Sequence, residues 1–146
     1  MWCYDMPTVT YVDSKRRKLQ RVDPMLVERI MVQHELVHGR IDVSCVEKVG
    51  AMANQGLSST FAFGRAAGVV EGVMAAHSAD LIVMRPQEWQ PLARVKGGEH
   101  IKDNARERAQ QLFPERAEWF KLKKHSGRAD AALIAYATAI KLGGFK

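Results

Sequence analysis

Long apolar runs are missing from this chain, and so is a charged N-terminal region followed by an apolar one. The first absence excludes a membrane-spanning helix, which needs roughly 18 or more consecutive apolar residues, and the second argues against a secretory leader. Cysteine is nearly missing too. Cys3 and Cys45 have no metal-ligand spacing, and Cys45 sits among strand-forming apolar residues, so a reduced, intracellular protein is the simplest reading. There is no internal repeat and no low-complexity tract. Ordinary apolar and charged fractions exclude intrinsic disorder, and 146 residues fit one domain with a real core.

Charge is present but uneven. Residues 1–84 hold nine Lys/Arg against nine Asp/Glu, whereas residues 85–146 hold thirteen against seven. Lys15, Arg16, Arg17, Lys18 and Arg21 form one dense cluster, and Lys121, Lys123, Lys124, His125 and Arg128 form another. Such asymmetry points to a polyanionic partner, most often nucleic acid, although solvated basic faces are common.

Read in order, the chain alternates strands and helices. Two short extended pieces flank the first basic cluster as a turn. Asp23-Pro24 supplies an N-cap and a first helical residue. Leu26, Ile30 and Val37, with Val27 and Met31 beside them, give that helix its apolar side, and Gly39 ends it. Ile41–Glu47 alternates as a strand and finishes on a carboxylate. A polar, glycine-containing loop follows, then a helix opened by Ser58 or Ser59.

Gly64, Gly68 and Gly72 recur along that helix at spacings of four. Each costs about 1 kcal/mol relative to Ala, so a row of three implies close packing of the backbone on a sheet. Asp80 to Met84 is a second apolar strand, making a right-handed βαβ unit with a parallel pair. Residues 86–91 read as an irregular or one-turn segment. A helix spans about 99–113, with Ile101, Ala105, Ala109 and Leu112 on one face. A last helix spans about 127–142, with Asp130 in its first turn.

Two constellations carry chemistry. Glu47 ends a buried strand, and Asp130 lies on an alanine-rich helix that should pack on the sheet. Carboxylates gathered at a sheet edge suit Mg²⁺, which takes oxygen ligands. Against this, Asp130 could simply complement its helix dipole. The rival is His34-Glu35-Leu36-Val37-His38, a literal H-E-x-x-H. Its imidazoles share a helix face and would hold Zn²⁺ with Glu35 as general base, but no third ligand has a compelling place. Gln55, Gly56, Ser58 and Ser59 form a polar loop suited to phosphate, backed by helix amides. Phe61, Phe63 and Trp89 read mainly as core.

Val46-Glu47-Lys48-Val49, then Met52, Gln55-Gly56, Ser58-Ser59, Phe61, Phe63-Gly64 and Gly68 resemble the RuvC-type crossover-junction endonucleases, particularly phage and prophage members. Pro86-x-x-Trp89, the Lys102 helix ending Leu112-Phe113-Pro114, and Gly127-Arg128-Ala129-Asp130-Ala131-Ala132-Leu133 continue the resemblance in order. It implies an α/β, RNase H-like fold, a five-stranded mixed sheet flanked by helices. It also implies a bacterial, cytoplasmic homodimer that cuts Holliday junctions or other branched DNA with Mg²⁺ or Mn²⁺.

Carried over by position, Glu47 and Asp130 would be the catalytic carboxylates and metal ligands. Lys48, Gln55, Gly56, Ser58, Ser59, Arg65, Lys96, Lys102, Arg106, Lys123 and Lys124 would contact DNA. The family's opening strand, with its Gly-Ile-Asp-Pro-Gly-like turn, has no counterpart, and Asp5 belongs to a later Asp-Met-Pro segment. The expected cluster therefore holds two carboxylates rather than three or four, with His125 nearby. The strand ending at Glu47 is left with an open apolar edge. A catalytically inactive branched-DNA binder and a zinc hydrolase centred on His34 and His38 remain the alternatives.

Overall fold

Residue chemistry and chain order place the elements much as expected. The computed structural model describes residues 3–51 and 56–144. It is a mixed α/β chain with two two-stranded sheets, β1–β2 and β3–β4, among the described residues. The elements are β1 (Thr8–Val12), β2 (Lys18–Val22), α1 (Pro24–His38), β3 (Ile41–Glu47), α2 (Leu57–His77), β4 (Ser78–Met84), α3 (Pro86–Leu92), α4 (Ile101–Leu112) and α5 (Ser126–Lys141). Short 3₁₀ segments cover Pro114–Phe120 and Lys123–His125. Among the described residues no helix is long and apolar enough to cross a membrane. The five-stranded sheet implied by the family resemblance is not among these elements.

By internal contacts the chain divides into two compact units. One comprises Met6–Ser44 and Val49–Leu81; the other comprises Met1–Asp5, Cys45–Lys48 and Ile82–Lys146.

In the first unit β1 and β2 form an antiparallel hairpin, with Thr8 opposite Val22 and Val12 opposite Lys18. Asp13 organises the basic turn between them. Its Oδ1 accepts the amides of Lys15 (2.9 Å) and Arg17 (2.8 Å), and its Oδ2 accepts Arg17 Nε. Those donors from Arg17 hold the Asp13 carboxyl below the usual carboxylate range. The Asp23 side chain caps α1 through the amides of Met25 and Leu26, and Gly39 ends it at φ 84°, where a side chain would be strained.

Only part of the apolar side expected for α1 faces inward. Val27 and Met31 are buried, whereas Leu36 and Val37 are 81% and 73% exposed. Apolar spacing marks more than one face of this helix, and packing against α2 selects the row containing Val27 and Met31.

The glycine row on α2 also corrects the reading. A Cβ built at Gly64, Gly68 or Gly72 meets nothing within 4 Å, and α2 has no buried residue. Among the described residues the row therefore serves no close backbone contact. The helix opens at Leu57, with Gly56 rather than Ser58 or Ser59 at its N-cap. Met52 and Gln55 lie outside the described residues.

The second unit has a single apolar core. Met84, Ala93, Ala109, Phe120, Ala129, Leu133 and Ala137 are fully buried, with Trp89 beside them at 2% exposure. Ala105 and Ala109 on α4 and Ala129, Ala132 and Ala137 on α5 are small, which lets these two packed helices approach closely. Arg108 Nε donates to the Ala93 carbonyl at 2.8 Å, tying α4 to the end of α3. Asn104 Nδ2 donates to the Lys96 carbonyl at 2.9 Å and holds the glycine loop against α4.

Cavity cost separates these environments. Leu133→Ala is expected to destabilise by about 2–5 kcal/mol. Val37→Ala, on the exposed side of α1, should change stability by less than about 0.5 kcal/mol. Urea denaturation of both variants checks this, and a large loss for Val37→Ala would mean that the α1 face is assigned wrongly.

Candidate active site

The candidate site lies wholly within the second unit and begins with the end of β3. β3 and β4 are hydrogen-bonded neighbours. The amide of Lys48 donates to the carbonyl of Met84, the last residue of β4, at 2.7 Å. The two strands thus finish side by side, as in a parallel pair, and the backbone is held directly beyond Glu47. Sheet pairing fixes where the Glu47 carboxylate leaves the main chain.

A second interaction fixes where it goes. Trp89 Nε1 donates to Glu47 Oε1 at 2.9 Å. This uses one lone pair of one oxygen and leaves the other oxygen available to a ligand. Trp89 reaches that position because residues 86–92 form a helix of about two turns, longer than the irregular or one-turn segment expected. Pro86 stands in its first turn, where the missing amide costs nothing, and Glu88 Oε2 accepts the Arg85 amide at 2.8 Å. Packing of α3 against α5 then buries the indole. Sequence reading placed Trp89 in the core, where it lies, but missed its bond to Glu47, because nothing local links it to a carboxylate 42 positions away.

Asp130 arrives from α5. This helix starts at Ser126, one residue before the expected bound, so Asp130 lies beyond its first turn. The helix-dipole explanation of Asp130 loses its basis accordingly. The row Ala129, Leu133 and Ala137 is fully buried, and Asp130 sits at its edge, half-buried. Its carboxyl is pushed up to about 6, first by burial and then by the negative charge of Glu47, while Lys102 opposes the shift. Among the described residues no hydrogen-bond donor or ion-pair partner contacts Asp130 directly.

Glu47 and Asp130 are thus brought into electrostatic contact, with Trp89 orienting one and Lys102 biasing the other. Two carboxylates with free oxygens and one nearby cation make a hard, anionic donor set. That set fits Mg²⁺ or Mn²⁺, which prefer oxygen and commonly use one or two carboxylates with substrate and water completing the shell. No group of three or more His, Cys, Asp or Glu suited to a metal occurs among the described residues.

Other sequence candidates separate by what their side chains do. Lys48 lines an open depression of about 620 Å³ with Val83, Arg85, Gln87 and Glu88. Lys96, Lys102, Lys123 and Lys124 are exposed. Arg106 is different. Its guanidinium donates to the Lys121 carbonyl at 2.8 Å and pairs with Asp103, so it braces the segment after α4. In the first unit Gly56, Ser58, Ser59 and Arg65 are exposed on the opening turns of α2.

Asp5 stays out of the carboxylate pair. Both its oxygens accept from Arg128, at 2.6 Å each, and this holds the Asp5 carboxyl below its usual range. His125 is buried beside that pair, and its Nδ1 accepts the Leu122 amide at 3.4 Å. Burial, then the Arg128 and Lys124 charges, hold its imidazole below the ordinary value. It neighbours Asp5 and Arg128 rather than Glu47.

The H-E-x-x-H motif does not assemble as a hydrolase centre. Glu35 is turned toward α2, where its Oε2 lies 3.1 Å from His77 Nδ1, instead of standing beside a metal.

The chain matches no protein-family model and no curated protein.

The raised Asp130 carboxyl gives a signed pH effect. In the folded chain it holds its proton to about pH 6, whereas unfolded it releases it near 3.8. The folded state therefore binds more protons in that window, and stability falls as pH rises through it. Without metal, Asp130→Asn is expected to gain up to about 3 kcal/mol above pH 6. The gain should shrink on acidification and vanish below about pH 4. Urea denaturation at several pH values in chelator tests this; a pH-independent difference would contradict it.

Proposed function

We propose that this chain is a divalent-metal-dependent endonuclease domain of RNase H-like design, acting on Holliday junctions or other branched DNA as a homodimer. The support for the reading is that the Glu47 charge reaches the half-buried Asp130 carboxyl and helps to raise it. Elements far apart in sequence bring these two carboxylates together, and they are the two that the RuvC-type resemblance assigns to catalysis.

Glu47 and Asp130 would hold Mg²⁺ or Mn²⁺ between them. The bound ion supplies Lewis-acid stabilisation of the phosphate and activation of water for phosphodiester hydrolysis. The chain's own groups have separate tasks. Trp89 keeps one Glu47 oxygen fixed, so the carboxylate does not have to be ordered as substrate arrives. Lys102 offsets part of the paired negative charge and offers a cation to the scissile phosphate. Lys48, Arg85 and Gln87, at the depression beside the strand ends, are suited to phosphates along the backbone. Lys123 and Lys124 extend the cationic surface of that unit.

A second reading is favoured by one observation, the lack of a third carboxylate or imidazole beside the pair among the described residues. On that reading the domain binds branched DNA without cutting it.

The two are separable. With Mg²⁺ and a four-way junction, the nuclease reading expects cleavage that Glu47→Gln and Asp130→Asn both reduce to background. Trp89→Phe, which keeps the bulk but removes the N–H donor, should lower the rate by about tenfold. The binding reading expects no cleavage, with junction affinity that falls steeply with salt and survives Glu47→Gln. Absence of both cutting and junction binding would sink the DNA assignment.

A further inference from the structure

His34 and His38 remain outside the proposed nuclease chemistry. They lie at i and i+4 on α1, both exposed, with ring centroids 4.7 Å apart and planes inclined at 47°. Two imidazoles sharing one ion in right-angled to tetrahedral geometry place their centroids roughly 4.5–5 Å apart, given metal–nitrogen bonds of about 2.0–2.1 Å. The spacing of this pair already falls in that range. Among the described residues neither imidazole has a hydrogen bond or an ion pair, so no protein contact competes for its nitrogens.

We propose that His34 and His38 form a chelating site for one borderline-soft divalent cation, of the class Cu²⁺, Ni²⁺ or Zn²⁺, at the exposed C-terminal end of α1. Imidazole nitrogen selects these ions over Mg²⁺ and Ca²⁺, so the site differs in kind from the all-oxygen pair at Glu47 and Asp130.

The helix is prepared for the ion. Glu35, one residue on from His34, is held by His77 Nδ1 at 3.1 Å, and Glu28 lies 4.0 Å from His77 Nε2. These contacts fasten α1 to α2 and keep Glu35 engaged. Asp23 caps the start of α1, and the Gly39 amide closes its end on the Glu35 carbonyl at 2.8 Å. The i and i+4 geometry therefore exists before any ion arrives, and the ordering cost of chelation is small. His38 is the last residue of the helix, where the carbonyl end of the dipole favours positive charge. Two protein ligands leave the remaining coordination positions to water. With Glu35 engaged elsewhere, the site binds without carrying the general base that a zinc hydrolase needs.

The test is calorimetric titration of the full chain with NiCl₂, CuCl₂, ZnCl₂ and MgCl₂ in a non-chelating buffer, alongside thermal melts. The expected result is a site saturating at no more than one Ni²⁺, Cu²⁺ or Zn²⁺ per chain. His34→Ala and His38→Ala should each weaken it by about tenfold or more, because each removes one of two ligands. Glu47→Gln with Asp130→Asn should leave it unchanged. Ni²⁺ should raise the melting temperature of the parent chain and not of His38→Ala, since the chelate requires the folded helix. Ala at these exposed helical positions preserves folding, which circular dichroism of the variants verifies. Binding by either single variant as tight as the parent's, or loss of the site in the carboxylate variant, would overturn the proposal.

Discussion

Two carboxylates sharing a half-buried place repel each other, and water is too scarce there to screen them fully. Burial and the Glu47 charge together push Asp130 up to about 6, with Lys102 opposing. Such a pair would relax if its supports were soft, because a small separation or a turn toward solvent lowers the repulsion. It persists because both sides are anchored. Glu47 is gripped by the sheet through the Lys48 amide and by the indole of Trp89. Asp130 rides on a helix whose adjoining row, Ala129, Leu133 and Ala137, has no exposed surface. An apolar core thus maintains an electrostatic conflict between two carboxylates, as perturbed groups at functional sites often show.

The same unit shows how little of a basic composition is free to meet a partner. Arg106, Arg108 and Arg128 look like DNA contacts by charge alone, yet each guanidinium is engaged by the protein. Arg106 holds the Lys121 carbonyl and Asp103, Arg108 holds the Ala93 carbonyl, and Arg128 holds Asp5. The planar fork of arginine suits such internal bracing. Lysine, with a compact and strongly hydrated head, is left outward at 48, 96, 102, 123 and 124. The cationic surface available to a phosphate backbone is therefore a lysine surface joined by Arg85 beside Lys48.

Much of the fold was legible because its signals are local. Asp23 before Pro24, Gly39 after His38, the alternation through Ile41–Glu47 and Pro114 after Phe113 each state a boundary in one or two residues, and each boundary stands. What escaped depends on contacts between distant segments. Periodicity on α1 offered Leu26, Ile30 and Val37 with Val27 and Met31 beside them, and packing buried only Val27 and Met31. The glycine row on α2 suggested a close approach, and among the described residues nothing lies within 4 Å of its Cβ positions. Of the candidate site, Glu47 and Asp130 were readable from placement and resemblance. Their electrostatic contact, the role of Lys102 and the grip of Trp89 were not, because a linear spacing carries no distance between elements.

Trp89 also gives physical content to a short motif that otherwise only marks resemblance. Pro86 fixes the start of a helix just past the end of β4, and a residue three positions on faces back across that helix's first turn. An aromatic with a ring N–H at that position can bury its bulk in the core and still present one donor toward the neighbouring strand end. Phenylalanine would fill the space without the donor, and glutamine would supply a donor without the anchoring bulk. Tryptophan meets both demands at once, so the Pro-x-x-Trp spacing is a device for aiming a hydrogen bond at the carboxylate that ends β3.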